Sequence, residues 1–202
     1  MTPENIKYII DSVSNANLQR SVDNFDRRCE KFLEELGELA EARLGYTSKN
    51  NPKNKTLDDV KEEAVDVLIV ALDISLTPFS FFSSTNEIKN ELYEYLEYDA
   101  SDAGIAFVGS KNTDDSFRWL YNNSIKYTIM YFSDFWRKDK IHGKNRRNDI
   151  ASIIKKFVSH VFCIVKCTFK FADEQEIIDM VDKKISKWLN GRSTVITIDD
   201  EG

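Results

Sequence analysis

Glycine and proline are scarce in this 202-residue chain, which carries seven of the first and three of the second. Together they make up roughly 5% of the residues, where average usage is about 12%. A β-sandwich, a barrel or a glycine-rich nucleotide fold needs more turn chemistry than that. Cysteine is also sparse: Cys29, Cys163 and Cys167 build no disulfide framework, and an odd count fits a reducing, cytoplasmic setting. No run of 18 apolar residues is present. The opening MTPENIKYIIDS lacks the basic-then-apolar order of a secretion signal, so a soluble intracellular protein with no membrane partner is expected. Basic residues are outnumbered, 28 against 34, for a net charge of −6. That balance argues against general attraction to nucleic acid, while leaving room for a local basic patch that meets phosphate.

Hydrophobic residues are 42% of the chain and charged residues 31%, enough to bury a core and stay ordered. Helical periodicity dominates, and the expectation is an all-α bundle of about seven helices. Thr2-Pro3 opens a short helix to about Ser14. A long helix follows from about Ser21 to Leu44, stopped by Gly45, and a polar basic loop runs to Thr56. Thr56 with Asp58 and Asp59 caps a helix to about Leu76, and another fits Thr85 to Tyr98. Beyond lie a helix from Ser116 to Lys138, a basic loop from Asp139 to Arg147, and helices from Asp149 to Lys170 and from Asp173 to Leu189. Thr194–Ile198 alone reads as a strand. The whole is taken as one domain of two degenerate helical halves: 20–98 with the acidic residues described next, 116–190 without them, and a loose tail at 193–202.

On the long helix, Phe25, Cys29, Phe32, Leu36 and Leu39 recur at spacings of four and three and form one buried stripe. Glu34 and Glu41 fall on the opposite, solvated face. Glu35 and Glu38 lie beside the stripe, one turn apart, with both carboxylates at the core edge. The helix that follows is apolar nearly all round from Val65 to Ile74, which marks it as buried. Asp66 interrupts that run, with Glu63 on the same side and Asp59, Glu62 and Asp73 along the same broad stripe. No Lys or Arg occurs between Glu62 and Ile88, so this helix supplies no counter-charge of its own. A buried carboxylate costs several kcal/mol unless it is paired or bound to metal. Two acid pairs on antiparallel helices make a four-carboxylate box of hard oxygen ligands, a set that suits Mg²⁺ or Mn²⁺ and the phosphates they bridge. No histidine stands near it, against zinc and against a ferritin-like di-iron centre. Ordinary surface ion pairing is the competing account.

Glu35-Leu-Gly-Glu38 followed by Glu63-Ala-Val-Asp66 resembles the Glu-x-x-Glu … Glu-x-x-Asp signature of the all-α nucleoside triphosphate pyrophosphohydrolases, which include MazG-like proteins and the dimeric dUTPases. The wording around both pairs is similar over residues 20–78. The resemblance implies Mg²⁺-dependent hydrolysis of a (d)NTP to the monophosphate and pyrophosphate. It makes Glu35, Glu38, Glu63 and Asp66 the metal ligands, with Glu38 either one of them or the group that takes the proton of the attacking water. It also implies substrate-phosphate contacts from Lys184, Lys187 and Arg192 on the last helix, and a homodimer or an internal pseudo-dimer. A non-catalytic binding or regulatory protein, using its basic loops for nucleic acid or a protein partner, is the alternative.

Two loops are basic: the first holds Lys49, Lys53 and Lys55, and the second, from Arg137 to Arg147, holds six basic residues and one acid. Arg146 and Arg147 precede Asp149, where a helix N-terminus would add its own attraction for phosphate, so they join the candidate substrate contacts. His160, Cys163 and Cys167 share a helix face, but three ligands from one helix cannot surround a zinc ion, and burial accounts for them better. Tyr127, Tyr131, Phe132, Phe135 and Trp136 read as core.

Overall fold

The computed structural model describes residues 1–18, 25–76, 85–101, 144–169 and 174–190, together with Asn122. Six helices account for nearly all of them: α1 (Pro3–Leu18), α2 (Phe25–Thr47), α3 (Leu57–Ser75), α4 (Thr85–Ser101), α5 (Lys144–Thr168) and α6 (Glu174–Asn190). No strand occurs among the described residues, and no helix among them is long and apolar enough to cross a membrane. The expected helix over 116–138, the Thr194–Ile198 strand and the aromatic group from Tyr127 to Trp136 lie outside the described residues.

Helix α3 is the axis of the fold. It packs against α1, α2, α5 and α6, while α4 closes the bundle against α1 and α5. From Ala64 to Leu76 every residue is buried except Asp66, as expected of a helix that is apolar nearly all round. Thr56 starts α3 with a capping box: its hydroxyl accepts the Asp59 N–H at 3.2 Å, and the Asp59 carboxylate accepts the Thr56 N–H at 2.6 Å. Asp59 is thereby used as a cap and is no part of an acidic box. Opposite α3, the stripe of Cys29, Phe32, Leu36, Leu39 and Ala42 on α2 is buried. The Phe32 ring meets Phe157 of α5 edge-on, with centroids 5.0 Å apart.

Several boundaries differ from the sequence expectation. Helix α1 runs to Leu18 instead of Ser14, because Ala16 extends the stripe of Ile6, Ile9, Ile10 and Val13 into the core. Helix α2 passes through Gly45 and ends at Thr47. There the missing side chain serves close packing, not termination: a Cβ on Gly45 would stand 2.8 Å from Cγ of Lys55, in the loop that folds back on the helix. Helix α5 begins at Lys144, five residues before Asp149. Lys and Arg are good helix formers, so the basic stretch that read as loop supplies the first turn, with Arg146 and Arg147 in it.

The unfilled position is Gly37, exposed on α2 with no atom within 4 Å of a Cβ placed there. Gly37→Ala is expected to stabilise the protein by about 0.5–1 kcal/mol through helix propensity alone. Thr56→Ala, which removes the capping box, is expected to cost about 1 kcal/mol. Urea denaturation midpoints of the two variants should move in opposite directions from the wild type.

Candidate functional site: an acidic cavity between three helices

Helices α2 and α3 form an antiparallel hairpin in one register. Seven residues separate Arg28 from Glu35 on α2, and seven separate Asp66 from Asp73 on α3. At one end Arg28 donates to Asp73 at 3.1 Å, with both side chains almost wholly buried. Asn17 of α1 accepts from the same guanidinium nitrogen at 3.2 Å. Two turns further, Glu35 of α2 comes to Glu63 and Asp66 of α3, with one carboxylate oxygen from each within 4.8 Å of the others. Glu38, one turn beyond Glu35, is exposed at the same rim. The structure thus brings together the four acids that the sequence singled out; Glu41 is exposed and away from them, whereas Glu34, expected on the solvated face and exposed as expected, also lines the rim of this cavity. Asp73 goes to the Arg28 pair, at the deeper end of the same groove.

Counter-charge arrives from the neighbouring helices. Lys31, one turn before Glu35, bonds Glu35 at 2.8 Å and Glu34 at 3.0 Å. On α6, Lys184 bonds Asp66 at 2.5 Å and stands 3.6 Å from Glu62, which also takes Lys183 at 3.3 Å. Lys61 of α3 reaches Glu176 of α6 at 2.6 Å. These pairs align α6 parallel to α3. Glu38 and Glu63 form no ion pair among the described residues.

The titration behaviour follows from this geometry. Burial raises the Asp66 carboxyl above the ordinary range despite its bond to Lys184. Burial likewise raises Glu63, and the charges of Glu38 and Asp66 add to the rise. Glu38 is raised by partial burial and by Glu35. Burial pulls Lys184 down, but Asp66 and Glu62 outweigh it and hold the ammonium above its usual range. Lys31 is held up in the same way by Glu35 and Glu34. The cluster therefore carries like charges crowded together in a half-dry site, a setting that favours an added cation.

All four acids open onto one cavity of about 850 Å³, walled by α2, α3 and α6. Lys184 and Lys187 line it, as does Trp188 one turn beyond Lys184. Arg192 lies outside the described residues, and Arg146 and Arg147 are placed by their backbone alone. Arg27, Arg28, Lys31 and Trp188 were not identified from sequence as lining residues. The signal was present: Lys31 and Arg28 precede Glu35 by one and two turns on the same face, and Trp188 follows Lys184 by one. Cys29 and Cys167 are buried in the core and Cys163 packs partly buried against it; the Cys167 thiol is pushed up to about 11, largely by burial. The chain matches no protein-family model, no curated protein and no solved structure.

The donor set fits a hard divalent cation. It offers carboxylate oxygens only, from positions on two helices, with a half-exposed rim open to solvent. Without a cation the crowding costs stability, and the sign is fixed. An acid whose pKa is raised on folding is destabilising when ionised, and the loss is recovered as pH falls through that raised value. Glu63→Gln is accordingly expected to raise the melting temperature of the metal-free protein at neutral pH. The gain should shrink to nothing below the ordinary glutamate range, as a pH series of thermal melts would show.

Proposed function

We propose that this chain is a Mg²⁺-dependent nucleoside triphosphate pyrophosphohydrolase that releases pyrophosphate and leaves the monophosphate. The observation that carries the reading is the convergence of Glu35, Glu38, Glu63 and Asp66, from two antiparallel helices, on one open cavity whose opposite wall presents Lys184 and Lys187. The resemblance of the two acid pairs to the Glu-x-x-Glu … Glu-x-x-Asp signature points the same way. In this reading Glu35, Glu63 and Asp66 hold Mg²⁺, with Mn²⁺ able to replace it. The bound ion supplies charge neutralisation and Lewis acidity at the phosphates.

The chain's own residues supply the rest. Glu38 stands at the exposed rim without an ion-pair partner among the described residues, and its raised carboxyl suits a group that accepts a proton from water. Lys184 and Lys187 offer ammonium groups across the cavity to the polyphosphate oxygens. Lys31 holds Glu35 in its inward position. The half over 116–190 lacks the acid pairs and in this reading supplies packing together with Lys184 and Lys187, so that the molecule is an internal pseudo-dimer or pairs with a second copy.

Pyrophosphate release from the common (d)NTPs should require Mg²⁺ or Mn²⁺ and cease in EDTA. Glu38→Gln and Asp66→Asn should each lower kcat by about a hundredfold or more, with helical circular dichroism retained. Glu41→Gln, exposed and outside the cavity, should stay close to wild type. Full turnover in the Glu35→Gln, Glu38→Gln and Asp66→Asn variants alike would refute the assignment.

A further inference from the structure

The cavity does not end at the acids. It continues along α3 past Asp66, where Ile69, Val70 and Trp188 line it, and the phosphate chemistry uses none of these. The parallel register of α3 and α6 explains the arrangement: with Asp66 against Lys184, one further turn on each helix brings Val70 level with Trp188. Asp73 closes this stretch two turns beyond Asp66, about 10 Å along the helix. One continuous cavity thus has an acidic end and, a short step away, a stretch with one apolar wall of Ile69, Val70 and the Trp188 indole, facing Arg27, Glu30 and Lys31 of α2.

A nucleotide has the same two-part chemistry, an anionic chain joined through a sugar to a flat base. We propose that Trp188, with Ile69 and Val70, forms the stacking slot for the nucleobase of the substrate, a role that rests on the acids being the polyphosphate site. The far end of the slot bears on selectivity. Arg28 and Asp73 are 7% and 2% exposed there, and Arg28 is bonded both to Asp73 and to Asn17. So buried, the pair shuts the slot and presents almost no surface to a base edge. Arg27 and Glu30 line the cavity from exposed positions, where water competes for their hydrogen bonds, so recognition rests on stacking; every base offers a π-face, and the site accepts purines and pyrimidines alike.

Calorimetric titration of the full chain in Mg²⁺ tests this, with α,β-imido nucleoside triphosphates of the four bases and inorganic triphosphate as probes. The four nucleotides are expected to bind within about fivefold of one another, and each about tenfold or more tighter than inorganic triphosphate. Trp188→Leu should weaken the nucleotides by about tenfold and leave inorganic triphosphate unchanged, with Trp188→Phe restoring most of the loss. Equal weakening of both probe types would make Trp188 a structural residue and overturn the slot, as would unchanged nucleotide affinity. A strong preference for one base would overturn stacking as the mode of recognition. Retained triphosphate binding with no contribution from the base sinks the slot alone, whereas no binding of either probe sinks the polyphosphate reading with it.

Discussion

Carboxylates on a helix that must be buried on nearly every side are the constraint around which this molecule is arranged. Helix α3 has four helical neighbours among the described residues, and it cannot be packed unless Asp66 and Asp73 are answered from outside. Each is answered differently. Asp73 is sealed from water and matched by Arg28, and removing one partner of such a pair costs about 3–5 kcal/mol because it leaves a stranded charge. Asp66 keeps partial access to solvent and is matched by Lys184, on a helix that also lines the cavity. One pair is a closed structural joint and the other is open to exchange.

That difference governs how α6 is held. Its apolar contact is a short stripe, Ile177, Val181 and Ile185, buried at spacings of four. Polar ties supplement it: Glu174 gathers the Met1 amine, the Thr2 N–H and Asn5 of α1, and Tyr8 donates to Asp182 at 2.8 Å. Lys61, Lys183 and Lys184 bind the other flank to α3. In the proposed reading a cation held by the acids would compete with Lys184 for Asp66, and the Lys184 ammonium would then be free to meet a polyphosphate across the cavity. The ties of α6 to α1 and to Lys61 do not involve the acids, so the helix can stay seated while that single side chain changes partner.

Much of this was legible in the sequence, because the signals were periodic. The α2 stripe, the all-round apolar character of α3 and the one-turn spacing of Glu35–Glu38 and Glu63–Asp66 each follow from 3.6 residues per turn. What was not legible depends on a third element. No spacing rule shows that Lys184 meets Asp66 across 118 positions, or that Trp188 shares a cavity with Ile69. Local signals misled where tertiary packing overrode them. Gly45 reads as a stop, but the close approach of Lys55 gives its bare Cα another use and the helix runs on. Asp59 looked like one more acid on the stripe, yet its carboxylate is spent on the Thr56 cap.

The distribution of burial among the four acids bears on what each can do. Glu35 is nearly buried and pinned by Lys31, Asp66 is half-buried and pinned by Lys184, and Glu63 is half-buried with no ion pair among the described residues. In the proposed reading these three are the metal ligands, held in place and crowded enough to prefer a cation to a proton. Glu38 differs from all three in being exposed at the rim. As the proposed proton acceptor, Glu38 would need water at its back, and fixing it as deeply as Glu35 would remove that exit. The same gradient, dry at Arg28–Asp73 and wet at Glu38, lets one hairpin serve as both core and cavity wall. The register that seals one end places the acids of the other end where solvent can reach them.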